Sequence, residues 1–131
     1  MTVYTPAETS RRSGFTLDTL RYYEKIGLLA GIDRTSAGRR AFTDDDLEWL
    51  GVLRCLRDTG MPIAQMCAYA EMCRAGADTE TERLALLREH AVRVQEQMRL
   101  LDQQHDHLQE KIRYYERAVA ASARREAVGG A

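Results

Sequence analysis

Cysteine and proline are scarce, and no apolar run is long. The 131 residues hold three cysteines, Cys55, Cys67 and Cys73, and two prolines. An odd cysteine count with no CxxC pair excludes a disulfide scaffold and a zinc ribbon, so reduced thiols are expected. Cys67 and Cys73 stand six apart, about 240° around a helix, and His105 and His107 stand two apart, about 200°. Neither pair can chelate from one helix face, and no metal or cofactor is expected. No apolar run approaches the roughly 18–20 residues that cross a bilayer, and MTVYTPAETSRR lacks the basic-then-apolar layout of a signal peptide. A cytoplasmic protein with no membrane partner is therefore expected. The length excludes a large catalytic α/β scaffold. No histidine or acid is placed in sequence to activate a thiol, so no enzyme and no catalytic residue is expected.

The formal charge of −1 hides an asymmetry. Residues 1–42 carry seven basic groups against four acidic, whereas residues 43–76 carry three against six. Only the N-terminal part is basic, as suits a segment that faces a polyanion.

Both prolines stand where helices begin. Thr5-Pro6-Ala7-Glu8 reads as a capping box, with a helix to about Ser13 and Gly14 as its left-handed cap. Thr16 caps a second helix, Leu17 to Ile26, with Leu20, Ile26 and Leu17 able to pack inward and Gly27 ending it. Two short helices around a glycine turn have the layout of a helix-turn-helix. Ser36 and Gly38 lie between flanks in Ile32–Phe42 that can pair as a hairpin wing. Thr43 caps a third helix rich in first-turn acid, with Trp49, Val52, Leu53 and Leu56 on one arc. Pro62 opens a fourth, whose apolar stripe is Ile63, Met66, Cys67, Ala70 and Cys73.

Leu84, Leu87, Ala91, Val94, Met98, Leu101, His105, Leu108, Ile112, Tyr115 and Val119 then alternate at spacings of three and four, an a/d register over five heptads. A helix from 84 to 119 is roughly 54 Å long. Four short helices cannot cover its seam, and a second copy is the simplest partner. The predicted fold is mainly α: a winged helix-turn-helix over residues 1–76 with a short β-hairpin wing, a coiled-coil dimerisation helix over 77–120, and a flexible tail over 121–131. A polar His105 in the seam reads as a register device, the alternative being a pH sensor.

In a helix-turn-helix the second helix enters the major groove. It offers Thr16, Asp18, Thr19, Arg21, Tyr22, Tyr23 and Lys25, and the wing tip adds Arg39 and Arg40, whose forked guanidinium groups suit phosphates. The alternatives are a solvated polar face and an exposed basic turn.

TLRYYEKIGLL at 19–29, the Arg34-xxx-Gly38-x-Arg40-x-Phe42 spacing and TDDDLEWLGVLRCLRDTGMPIAQM resemble the MerR family of transcription regulators, over nearly the whole chain to about residue 120. Arg39 and Phe42 stand where the family commonly has tyrosine, and Ser10 where it has a small apolar residue. The resemblance implies a homodimer joined by an antiparallel coiled coil and bound to a palindromic operator in an over-long promoter spacer. Bending and untwisting that spacer returns its elements to RNA polymerase, so specificity comes partly from DNA deformability. Carried over by position, Arg21, Tyr22, Tyr23, Arg40 and Arg57 grip phosphates on double-stranded DNA, with Thr16 and Thr19 near the groove.

CLRDTGMPIAQMCAYAEMCRAGADTETERL and EKIRYYE are similar to the small branch of the family that senses aldehydes and other thiol-reactive electrophiles, which implies an effector-sensing role for Cys55. Its helical neighbours Gly51, Val52, Asp58 and Thr59 offer a thiolate no cation, and the plainer reading is a small buried packing residue. Two other classes stay open: a coiled-coil adaptor whose basic head docks an acidic protein, and a cysteine-dependent enzyme.

Overall fold

A computed structural model describes residues 2–129. The chain is mainly helical with a small antiparallel sheet. Its elements are β1 (Val3–Tyr4), α1 (Pro6–Ser13), α2 (Leu17–Lys25), β2 (Asp33–Arg34), β3 (Arg40–Thr43), α3 (Asp44–Asp58), α4 (Ile63–Ala75) and, after a 3₁₀ turn at Ala77–Thr79, α5 (Glu80–Gly129). The chain divides into two compact units, the first ending at His90 and the second beginning at Ala91.

Capping chemistry sets most of the helix starts. Thr5 and Glu8 form a reciprocal capping box at α1, Thr43 and Asp46 form one at α3, and Thr16 accepts the Thr19 amide at α2. Each satisfies amide groups that a helix start otherwise leaves unpaired. Gly14 ends α1 at φ 79°, a left-handed conformation that a side chain disfavours. The wing is a real hairpin, with Asp33 opposite Ala41 and Arg34 opposite Arg40. Strand β1, which the sequence pattern does not announce, pairs with the other edge of β3 through Val3–Thr43 and Tyr4–Phe42.

The core of the first unit gathers Phe15, Leu20, Tyr23, Leu28, Leu29, Phe42, Leu50, Leu53, Leu56, Met61, Met66 and Ala70. Each fully buried large side chain among them contributes roughly 1.5–3 kcal/mol of transfer free energy. Several sequence expectations are corrected here. Leu50 replaces Val52 on the buried face of α3, since Val52 is exposed. Leu17 and Ile63 are likewise exposed. Leu87, expected in the dimer seam, is partly buried and packs with Leu86 against this core.

In the second unit α5 continues from Ala91 to Gly129, so residues 121–129 are helical where a fraying tail was expected. Ala, Arg and Glu in ASARREAV are good helix formers, and that propensity outweighs the lack of a seam position there. Met98, Leu101, Leu108, Ile112, Tyr115 and Val119 all stand exposed along the helix. His105 is also exposed and meets Gln109 of its own helix, Nε2 to Nε2 at 3.3 Å.

Candidate nucleic-acid interface

The turn between α1 and α2 is built by short-range hydrogen bonds around one buried ring. Ser10 donates its hydroxyl to the Phe15 carbonyl at 2.6 Å, and the Phe15 amide donates to Ser13 Oγ at 3.2 Å. The departure at Ser10 thus has a structural use: its hydroxyl stitches the turn. Arg54 of α3 reaches across Gly14 and donates Nη1 to the Ser13 carbonyl at 3.1 Å. A Cβ at Gly14 would lie 1.8 Å from that nitrogen, so any side chain there displaces Arg54.

This turn presents α2. Thr16, Arg21 and Tyr22 are exposed and Thr19 half-exposed. The Thr16 and Thr19 hydroxyls hydrogen-bond at 2.9 Å, and Arg21 meets Asp18 in an exposed pair at 3.0 Å. Such an exposed pair is worth at most about 1 kcal/mol. Tyr23, expected at a phosphate, is only 4% exposed, and its ring packs edge-on against Phe15 at 5.2 Å between centroids. Burial raises its hydroxyl above the ordinary tyrosine range, and the nearby Arg57 charge opposes that shift.

Arg57 lies with its guanidinium 4.6 Å from the Phe15 ring centroid and makes a forked contact to one Asp58 oxygen at 3.0 and 3.1 Å. Arg54 contacts the other oxygen at 3.2 Å. Hydrogen bonds from Arg57 and then Arg54 hold the Asp58 carboxyl below the usual aspartate range. A depressed folded value means this pairing operates at neutral pH and fades as pH falls through that value.

On the wing Arg39 is exposed, Arg34 donates to the Gly38 carbonyl at 3.0 Å, and Arg40 donates Nε to Glu24 Oε2 at 2.5 Å. That last bond ties the wing to the final turn of α2. A groove of about 550 Å³ lies between the wing and the β1–α1 segment, lined by Val3, Tyr4, Pro6, Thr35, Arg39 and Arg40, among others, with Leu17 contributed by the first turn of α2. Sequence reasoning misses Glu24, Arg54 and Asp58. The four-residue spacing of Arg54 and Asp58 is a usable signal; the 16-residue separation of Glu24 and Arg40 is not.

Cys55 is exposed, not the buried packing residue of the plainer sequence reading. Its carbonyl accepts the Thr59 hydroxyl at 2.7 Å, and the hydroxyl oxygen itself lies 2.7 Å from Nε2 of His90, which is 6% exposed. A polar chain therefore runs from the last turn of α3 to α5. Cys67 and Cys73 are half-buried, and Cys67 packs against the core. Among the described residues, no group of three or more His, Cys, Asp or Glu is gathered to hold a metal ion, and no helix is long and apolar enough to cross a membrane.

Comparison with known proteins agrees with this architecture. The pattern described as MerR HTH family regulatory protein matches residues 4–72, and that described as MerR, DNA binding matches residues 47–111. An HTH-type transcriptional regulator of Haemophilus influenzae is 39% identical over 117 residues, covering 89% of this chain and 87% of that protein. The crystal structure of HiNmlR, described as a MerR family regulator lacking the sensor domain and bound to promoter DNA, superposes with a TM-score of 0.87. Identity to it is 38%, and the match covers 92% of both chains. A MerR family transcriptional regulator from Listeria monocytogenes gives a TM-score of 0.79 at 33% identity, covering 86% of each chain. The chain belongs to the MerR family of helix-turn-helix transcription regulators, a family without enzymatic activity.

Proposed function

We propose that two copies of this chain bind an inverted-repeat operator in promoter DNA and distort it to control transcription by RNA polymerase. In this reading α2 enters the major groove, Thr16 and Thr19 lie near base edges, and Arg21, Tyr22, Arg39, Arg40 and Arg57 meet phosphates. The observation that carries it is the exposed polar face of α2 with an arginine-bearing wing tied beside it. HiNmlR, whose fold this chain shares, is bound to promoter DNA. The pairing surface in this reading is the row on α5 from Leu84 through Ala91, Val94, Met98, Leu101 and His105 to Leu108, Ile112 and Tyr115, most of it exposed and apolar, with Val94 half-buried.

Binding to a duplex carrying the chain's own promoter region should weaken steeply with salt, because each phosphate contact releases counterions. Arg21→Ala and Arg39→Ala should each reduce the log–log salt slope by about 1 per copy. Unchanged slopes in both would remove α2 and the wing from the interface; an adaptor docking an acidic protein would instead show no preference among DNA sequences.

The switch in this reading is Cys55, which stands exposed on α3. Its Sγ adds to the carbonyl carbon of an aldehyde, and the thiol proton ends on the former carbonyl oxygen, giving a hemithioacetal. The added group sits one turn from Thr59, whose hydroxyl links the Cys55 carbonyl to His90. Transcription from the chain's own promoter should change on addition of formaldehyde or methylglyoxal with the wild type and stay flat with Cys55→Ala. Equal responses would eliminate the thiol mechanism and leave DNA binding untouched.

A further inference from the structure

Glu24 is out of place on electrostatic grounds. It is a carboxylate in the last turn of the helix proposed to face a polyanion, where a negative charge by itself weakens binding. Its partner explains it. Glu24 Oε2 accepts Arg40 Nε at 2.5 Å, with the two side chains 28% and 31% exposed, well below the exposed pairs elsewhere on the chain. Arg40 stands directly opposite Arg34 across the wing, a like-charge pairing that calls for a counter-charge. The bond occupies the Nε edge and leaves both Nη nitrogens without a hydrogen-bond partner among the described residues. A guanidinium held by one edge presents the remaining edge in a fixed fork, the geometry that suits a phosphate.

We propose that Glu24 is a positioning residue for nucleic-acid binding: it fixes the Arg40 fork and anchors the wing to α2, so that removing a negative charge from this face weakens the grip on DNA. The proposal rests on the DNA-binding reading above. The two possible roles of Glu24 differ in sign. As a bystander charge, its loss tightens binding and leaves the salt slope unchanged or steeper. As a positioning group, its loss mimics loss of Arg40.

The test measures affinity of the full-length chain for a duplex of its own promoter region across a salt series, with wild type, Glu24→Gln, Arg40→Ala and the double variant. Circular dichroism melting sets a temperature at which all four are folded; should Glu24→Gln fail to fold, Glu24→Asp, with the same charge and a shorter reach, takes its place. Glu24→Gln is expected to bind about tenfold more weakly, with a salt slope lowered by about 1 per copy as in Arg40→Ala. The double variant should bind no more weakly than Arg40→Ala alone. Arg40→Ala weakened while Glu24→Gln binds as well as or better than wild type would overturn the role of Glu24 and leave the DNA reading standing. Additive losses in the double variant, or no effect of Arg40→Ala, would overturn it equally. Wild type without salt-dependent binding would overturn both readings.

Discussion

Phe15→Ala is expected to lower the melting temperature of the first unit by about 20 °C and to abolish DNA binding at growth temperature. The ring is 1% exposed and central to the turn that presents α2. It packs edge-on against Tyr23, and the Arg57 guanidinium lies over it. Truncating a buried phenylalanine costs about 3–5 kcal/mol through lost transfer energy and the cavity left behind. The aromatic pair adds about 0.5–1.5 kcal/mol. A unit of this size has a total stability near the low end of the usual range of about 5–15 kcal/mol, so most of its margin is consumed. Each kcal/mol moves the midpoint of so small a domain by about 4–8 °C. Trp49 is the sole tryptophan, stacks on Tyr69 at 5.9 Å and donates Nε1 to the Leu28 carbonyl at 2.7 Å, so its fluorescence follows this unit specifically. Phe15→Leu, which keeps most of the volume, should move the midpoint by less than half as much. A Phe15→Ala chain melting within 5 °C of wild type would show that the turn is anchored elsewhere.

Signals carried by residues close in sequence are legible in the letters alone. Thr5, Thr16 and Thr43 cap helices because their side chains accept amides three residues on, and Gly14 ends α1 for want of a Cβ; such rules need only a few neighbouring residues. The sheet is half legible. The β2–β3 hairpin has its turn residues, but Val3–Tyr4 is two residues long and can show no alternation. Tertiary packing decides the rest. Trp49, Val52, Leu53 and Leu56 make a plausible helical arc, yet α3 is rotated so that Leu50, at complete burial, faces the core and Val52 faces out. Tyr23 follows the same pattern: next to the exposed Tyr22 it looks equally available, and only Phe15 against its ring makes it core. The interface is legible in its cations and illegible in what holds them. Arg40 and Arg57 can be named from sequence, whereas Glu24, Arg54 and Asp58, the groups that aim them or anchor the turn, become visible only in the fold. The Thr59–His90 bond spans 31 residues and obeys no periodicity.

Replacing two residues of the proposed seam with glutamate, Leu108→Glu with Ile112→Glu, is expected to leave the first unit folded while converting the proposed dimer into a monomer that no longer holds its operator. Both side chains are exposed on α5, on the same face as Tyr115 and Val119. A pair of helices joined along this row buries these side chains against their counterparts, and the substitutions set four carboxylates per dimer into that apolar contact. Charges without partners in such a place disfavour association by several kcal/mol. Loss of the dimer then acts on DNA binding through effective concentration. With two heads joined, binding of the first half-site makes the second an intramolecular event, which raises overall affinity by about 10²–10⁴. The variant should elute at the mass of one copy at micromolar concentration by light scattering, lose at least about a hundredfold in operator affinity, and keep the Trp49-monitored melting midpoint of wild type. Gln104→Glu, off the a/d row, serves as the control for added charge on the same helix. A double variant that still scatters as a dimer and still binds would place the pairing surface somewhere other than this row, and would take with it the fixed head-to-head spacing on which recognition of an inverted repeat depends.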